Sequence, residues 1–113
     1  MDKKTDQAQV MTAEERLIEA GYDDVMTFTG YTYDDALVGV TEDNRAVYDY
    51  DKMVAWLMEK EGWSMEGAAE WIEYNTIRAL DYAGPEAPVV MTMLRQQKSH
   101  PSGWLFLILR HIP

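Results

Sequence analysis

The fold is decided by residues 36–50, which read ALVGVTEDNRAVYDY. Two short runs, 36–41 and 46–50, are rich in the β-branched and aromatic residues typical of strands, and a polar segment separates them. Asp43 and Asn44 in that segment both tolerate the positive φ angles of a tight turn. The stretch therefore predicts a β-hairpin with a two-residue loop.

The predicted loop also sets which residues of the two strands pair. Val40 is expected to face Val47, and Leu37 is expected to face Tyr50. Because apolar side chains occur on both faces of this hairpin, we expect one face to meet helices. The other face is then partly covered or used for binding.

One helix is predicted before the hairpin. Thr12 and Glu15 have the spacing of a capping box, which predicts a short helix over residues 13–20. Residues 25–29, VMTFT, have the composition of a strand. Residues 1–11 are mostly polar and are predicted to be a flexible leader.

Two consecutive helices are predicted after the hairpin. Asp51 is a candidate N-cap for a helix that ends near Glu61, where Gly62 supplies a left-handed stop. Ser64 is the candidate cap of a second helix, which reaches about Leu80. The inner face of this second helix is expected to carry Met65, Ala68, Ala69, Ile72, Thr76, Ala79 and Leu80.

The last part of the chain is expected to contribute to the sheet or to an interface. Residues 89–94 have strand composition, residues 95–103 form a predicted loop, and Trp104–Leu109 is the uncharged run WLFLIL. Such a run is an aggregation hazard at an open edge, so we expect it to be buried. Together the elements predict a single α+β domain over residues 1–113, with a small antiparallel sheet packed against two or three helices.

Composition narrows the class of protein. The 113 residues include no cysteine, which excludes disulfides, thiol catalysis and cysteine zinc sites. The longest unbroken apolar run has six residues, whereas a membrane helix needs roughly 20. The N-terminus lacks the apolar region of a secretion signal, so we expect a soluble protein of a bacterial cytoplasm with no membrane association.

The charge is strongly acidic and unevenly distributed. Residues 1–86 hold all 20 acidic and seven basic residues, a formal net charge of −13, and residues 87–113 hold three basic residues and no acid. The negative charge of residues 1–86 repels a phosphate backbone, which proteins bind through Lys and Arg. A protein partner with a basic surface is favoured instead, because opposite charge steers encounter. The alternative is that the acidity serves solubility alone.

Three segments carry a resemblance to a known group of proteins. They are residues 46–54 (AVYDYDKMV), residues 71–80 (WIEYNTIRAL) and the pair Ala87-Pro88, all within residues 30–91. These motifs resemble small proteins carried by phages, prophages and other mobile elements of gut bacteria. The resemblance implies a mobile-element context rather than one activity. Small acidic proteins of such elements often inhibit host machinery, and some anti-CRISPR or anti-restriction inhibitors imitate the charge of nucleic acid.

The second helix after the hairpin carries a candidate partner surface. At about 100° per residue, Trp71, Tyr74 and Arg78 lie near one another, away from the inner face. These residue types are enriched at interface hot spots. The alternative for Trp71 is packing under the N-terminal helix or the tail. The carboxylates expected to flank this surface and to steer a basic partner are Glu66, Glu70 and Glu73.

No motif indicates catalysis, a metal or a cofactor. The only histidines, His100 and His111, lie near the C-terminus, and a neighbouring serine does not make a catalytic triad, which is recognised by geometry. The chain has neither an EF-hand loop nor a glycine-rich phosphate loop. We therefore predict no catalytic residue, no metal ligand and no cofactor.

Three functional hypotheses follow. The leading one is a non-enzymatic acidic binding protein that inhibits or modulates a host protein with a basic, nucleic-acid-handling surface, as an anti-CRISPR or anti-restriction inhibitor does. The second is a structural protein that forms a homodimer through Trp104–Leu109. The third is a small metal-dependent hydrolase or nuclease that uses Asp34, Asp49 and Asp51.

The charge leads to a direct prediction about DNA. At physiological salt, the protein should bind a labelled DNA duplex no better than an unrelated acidic protein of similar size, as measured by fluorescence anisotropy. The reason is that few basic side chains face a large acidic excess. Tight binding that weakens steeply with added salt would contradict this prediction.

Overall fold

The computed structural model describes residues 11–94, which form an α+β fold of helices packed on a three-stranded sheet. The predicted fold class is therefore confirmed. The predictions for residues 1–10, the loop 95–103 and Trp104–Leu109 lie outside the described residues. Within the described part, each helix is too short or too polar to cross a bilayer.

The elements are α1 (Ala13–Glu19), a 3₁₀ turn (Asp34–Ala36), β1 (Leu37–Val40), β2 (Ala46–Asp49), α2 (Tyr50–Glu61), α3 (Met65–Trp71), a π-helical segment (Ile72–Ile77), a second 3₁₀ turn (Leu80–Tyr82) and β3 (Val89–Met91).

The sheet is mixed, whereas the sequence predicted an antiparallel one. β1 and β2 are antiparallel, and Leu37 lies opposite Tyr48 rather than Tyr50, because the register shifts at an irregularity between Leu37 and Gly39; Tyr50 itself belongs to α2. β3 pairs with the other side of β2 in parallel, with Val90 opposite Tyr48. Parallel pairing requires a long crossover, and here the helices between β2 and β3 supply it.

The hairpin loop is one residue longer than predicted. Asn44 has a left-handed backbone, with φ of 68°, and its N–H donates to the Thr41 carbonyl at 3.0 Å. A turn followed by a left-handed residue makes a three-residue loop. The longer loop shifts the register, so Val40 lies opposite Ala46, and the predicted pairing of Val40 with Val47 is wrong.

Two of the predicted helix caps are present as expected. The Thr12 hydroxyl accepts from the Glu15 N–H at 3.1 Å, and the Glu15 carboxylate accepts from the Thr12 N–H at 3.0 Å. The Ser64 hydroxyl accepts from the Gly67 N–H at 3.1 Å. Each bond satisfies a backbone donor that the first helical turn leaves unpaired.

The cap of α2 is a correction. Asp49, rather than Asp51, caps this helix, since its carboxylate accepts from the N–H of Asp51 at 3.0 Å and of Lys52 at 3.4 Å. Asp49 is also buried, with only 2% of its surface exposed. The helix ends at Gly62, whose φ of 73° gives the predicted left-handed stop.

The helix that Ser64 caps changes geometry midway. It is α-helical to Trp71, and the next six residues, Ile72–Ile77, form a wider π-helical turn. The Asn75 side-chain amide donates to the Trp71 carbonyl at 3.0 Å across this turn. A π-helical turn breaks the 100° repeat. Ala79 follows the turn and is exposed, although the regular repeat placed it on the inner face.

The core lies between the sheet and the helices. From the predicted inner face of the helix, Ala68, Ile72 and Thr76 are buried, while Met65 at its first turn is 63% exposed. Met65 was therefore placed wrongly, because the helix end extends beyond the core. The largest fully buried side chains are Tyr33, Tyr48, Met53, Leu57 and Ile72.

The predicted strand at residues 25–29 is instead an irregular loop. Its aromatic side chain, Phe28, packs on Tyr33 with ring centroids 5.6 Å apart and on Tyr48 with ring centroids 4.7 Å apart. Packing on core rings thus takes the place of strand pairing in this segment.

The two fully buried tyrosines differ in their hydroxyl environments. Tyr33 has a left-handed backbone, with φ of 47°, and its hydroxyl lies 2.7 Å from the Thr76 hydroxyl. The Tyr48 hydroxyl is buried close to the Phe28 backbone but makes no well-formed hydrogen bond. Burial raises the pKa of Tyr48 to about 12, because the protein interior disfavours the phenolate.

The two hydroxyl environments predict that replacing Tyr33 and replacing Tyr48 by phenylalanine have opposite effects on stability. Tyr33→Phe should lower the free energy of unfolding by about 1–3 kcal/mol, because it leaves the buried Thr76 hydroxyl unpaired. Tyr48→Phe removes a buried hydroxyl without a partner and should leave stability unchanged or raise it. Urea denaturation followed by circular dichroism measures both variants. Equal losses in the two would show that the Tyr33–Thr76 bond contributes nothing specific.

Candidate partner-binding site

The outer face of α3, the two residues before it and the π-helical segment after it form an open groove of about 520 Å³. This volume lies within the range of about 300–1,000 Å³ typical of ligand pockets. Because the groove is open, it suits a side chain or short segment that a partner presents. It is lined by Trp63, Ser64, Gly67, Glu70, Trp71, Tyr74 and Asn75.

Trp71 lies at the inner side of the groove and is held in place by Tyr31. The two ring centroids are 4.9 Å apart at an interplanar angle of 80°, an edge-to-face contact. Tyr31 is itself anchored, because its hydroxyl donates to Glu61 at 2.7 Å, and this bond raises the pKa of Tyr31. Trp71 is half-buried, so it both packs on the fold and lines the groove.

Tyr74 is the exposed aromatic residue of the groove. Its side chain is 61% exposed, and the Arg78 guanidinium lies 6.0 Å from the ring centroid, a cation–π contact. The sequence placed Trp71, Tyr74 and Arg78 together. In the structure the two aromatic residues line the groove, and Arg78 lies beside Tyr74 outside the lining.

The three predicted carboxylates are separated by the structure. Glu70 lines the groove, whereas Glu66 is exposed on the first turn of α3, outside the lining. Glu73 accepts a hydrogen bond from the Tyr50 hydroxyl at 3.0 Å, which ties it to the start of α2. The pKa of Tyr50 is raised, mainly by burial of its hydroxyl and secondly by this hydrogen bond. Glu70 is therefore the carboxylate that a ligand in the groove meets first.

The sequence-based surface omitted four residues of the groove: Trp63, Ser64, Gly67 and Asn75. The Trp63 ring centroid is 6.4 Å from that of Trp71, and the rings are tilted by 45°. A usable signal existed, because a residue just before an N-cap packs back on the first helical turn, and Trp63 precedes the cap Ser64. Asn75 enters the lining next to the widened helical turn, which the sequence did not predict.

A second, smaller cavity lies on the inner side of the same helix. Its volume is about 360 Å³, and residues 26–29 and Tyr31 line it together with the helix and the segment before β3. Trp71 and Asn75 line both spaces, so they form a wall between the groove and this cavity.

The groove lies on an acidic body, which comprises residues 11–94. This body contains 18 acidic and five basic side chains, a formal net charge of −13. Opposite charge on a partner therefore accelerates its approach to this part of the protein, and salt screens the effect.

The carboxylates proposed for a metal-dependent enzyme have structural roles. Asp34 accepts from the Ala13 N–H at 2.8 Å, and its backbone carbonyl accepts from Arg16 at 2.8 Å. Asp49 caps α2. Between residues 11 and 94, no three acidic or histidine side chains converge in a way that could hold a metal ion, so Asp34, Asp49 and Asp51 do not form such a cluster.

A scan of family models, a search of curated proteins and a search of solved structures each gave no match. The resemblance to phage and mobile-element proteins stays a prediction from the sequence motifs. A function is therefore inferred from the groove and from the negative charge around it.

The geometry predicts different roles for Trp71 and Tyr74 in stability. Trp71→Ala should lower the free energy of unfolding by roughly 2 kcal/mol, about half the loss typical of a fully buried aromatic residue, because it removes the contact with Tyr31. Tyr74→Ala should change it by about 0.5 kcal/mol or less, as is usual at exposed positions. Urea titrations of both variants measure the difference. If Trp71→Ala is as harmless as Tyr74→Ala, the Tyr31 contact does not support the fold.

Proposed function

We propose that this protein is a non-enzymatic binding protein of the bacterial cytoplasm that inhibits or modulates a host protein with a basic, nucleic-acid-handling surface. The observation that carries the proposal is the groove on α3, where three aromatic side chains and a carboxylate meet on a body of net charge −13. Aromatic anchors with acidic surroundings fit a partner that is both basic and able to bury contact area.

The aromatic side chains are suited to act as anchors. Trp and Tyr are enriched at positions where truncation weakens binding by about 2 kcal/mol or more. Trp71 is already fixed by its edge-to-face contact with Tyr31, so binding orders it at little further entropic cost. Tyr74 is exposed, with the Arg78 guanidinium 6.0 Å from its ring centroid, so a partner can reach the ring directly.

The negative charge of this protein explains how its binding would inhibit the partner. A surface that handles nucleic acid presents Lys and Arg to phosphates. An acidic protein that occupies this surface competes with the nucleic acid for the same cations, as a nucleic-acid mimic does. The predicted mobile-element context supports this role, because such elements gain from blocking host defence enzymes.

The same charge favours a different protein as partner over a second copy. Two copies of the chain, each with a formal net charge of −10, repel each other, whereas a basic partner is attracted. Homodimerisation through Trp104–Leu109 stays a prediction, since that run lies outside the described residues. The metal-dependent hydrolase has no ligand cluster to support it within residues 11–94.

The proposal is tested by partner capture followed by competition. The tagged full chain is used to isolate binding proteins from gut bacteria, and the purified partner is then titrated with the chain and with duplex DNA. We expect the partner to be a basic nucleic-acid-handling protein that DNA displaces. Tyr74→Ala should weaken binding about thirtyfold, equivalent to about 2 kcal/mol.

Matched controls separate the groove from general surface effects. Tyr82→Ala removes a tyrosine that is 90% exposed and outside the groove, and it should leave binding unchanged. Glu70→Gln should slow association more at low salt than at high salt, whereas Glu14→Gln on α1 should have little effect. A partner that binds Tyr74→Ala and Tyr82→Ala equally well, or that DNA does not displace, contradicts the proposal.

A further inference from the structure

We infer that the groove is an aromatic cage for one arginine side chain of the partner. The inference rests on the proposed binding function and specifies the chemical group that the groove takes. Cationic groups are recognised in proteins by clusters of aromatic rings, often with a carboxylate nearby, because the ring faces are electron-rich. The groove combines both features on one helix and the residue pair that precedes it.

The two indole rings form a wedge. Trp63 and Trp71 have ring centroids 6.4 Å apart and planes tilted by 45°, so the two ring planes are inclined to one another, and both residues line the groove. Trp gives the strongest cation–π attraction of the aromatic residues. A guanidinium is planar and weakly hydrated, so it can stack on such a face, whereas the compact lysine ammonium is strongly hydrated. The wedge therefore favours arginine over lysine.

Polar groups in the lining match the donors of a guanidinium. Glu70 supplies a carboxylate in the same groove, four residues before Tyr74. One N–H of the Asn75 amide donates to the Trp71 carbonyl at 3.0 Å, and the amide oxygen is the acceptor that this side chain can offer to a guanidinium. Arginine presents five N–H donors in a fixed fork, which suits acceptors placed beside an aromatic face.

The protein already pairs its own guanidinium with a ring of the groove. Arg78 lies 6.0 Å from the centroid of Tyr74, at the rim rather than in the lining. This contact is a cation–π pair between a guanidinium and a ring of the groove, the type of interaction inferred for the partner's arginine. The groove volume of about 520 Å³ leaves room for an arginine side chain together with the backbone that presents it.

The inference is tested with the full chain and three capped tripeptides, Gly-Arg-Gly, Gly-Lys-Gly and Gly-citrulline-Gly. Citrulline keeps the shape of arginine without the charge. Indole N–H signals are followed by NMR at about 0.15 M salt, where general electrostatic attraction is screened beyond about 8 Å. We expect the arginine peptide to shift the Trp63 and Trp71 signals and to bind at least about tenfold tighter than citrulline and severalfold tighter than lysine.

The variants locate the binding. Tyr74→Ala and Glu70→Gln should each weaken arginine-peptide binding about tenfold, and the controls Tyr82→Ala and Glu14→Gln should not change it. Trp56 serves as an internal reference, because it lies under Lys60 on α2 at 5.3 Å and outside the groove. Equal shifts of Trp56 and Trp71, equal binding of citrulline, or equal binding of lysine would each overturn the arginine assignment.

The outcomes also distinguish this inference from the proposed function. If the arginine peptide does not bind but Tyr74→Ala still loses the captured partner, the arginine cage is wrong and the binding function stands. If the arginine peptide binds as described but Tyr74→Ala keeps full affinity for the partner, the cage stands and the proposed use of the groove is wrong.

Discussion

A buried hydrogen bond between Tyr33 and Thr76 joins the loop that carries Tyr31 to the helix that carries Trp71. The hydroxyl oxygens are 2.7 Å apart, and Tyr33 is fully buried in a left-handed backbone conformation. That conformation costs roughly 1–3 kcal/mol for a residue with a side chain, so the surrounding packing and this bond must outweigh it. Tyr33 ends the loop that carries Tyr31, and Thr76 belongs to the helix that carries Trp71. The bond therefore connects, in the core, the two segments whose rings Tyr31 and Trp71 meet beside the groove.

The sequence predicted those elements whose cause lies within a few neighbouring residues. The caps at Thr12 and Ser64 and the hairpin itself are of this kind, because the side chain and the backbone group it satisfies are adjacent. Asp49 and Asp51 are two residues apart and chemically identical, so only burial decides which one caps α2. The parallel direction of β3 could not be predicted, because it depends on where two packed helices return the chain.

The candidate site was predictable to the extent that it lies on regular helix. Glu70, Trp71 and Tyr74 precede the widened turn or lie in its first residues, and helical spacing placed them together correctly. Arg78 follows that turn and lies at the rim, since a fixed 100° step does not hold across π-helical geometry. Trp63 lies outside the helix, where periodicity gives no information. The turn contains neither Pro nor Gly, and although the Asn75–Trp71 bond is local, the sequence pattern alone did not indicate it.

The single parallel pairing of the sheet has a consequence for the order of folding. Tyr48 pairs with Val90, 42 positions further along the chain, while the hairpin partners of β2 are a few residues away. Closing a long loop is entropically unfavourable until the segments inside it are ordered, so distant pairings form late. The hairpin and α2 can form as soon as they are synthesised, but β2 keeps an open edge until the helices are in place and β3 has emerged. During that interval the nascent chain exposes a strand edge to its neighbours, and its acidic charge is then a protection against association between chains.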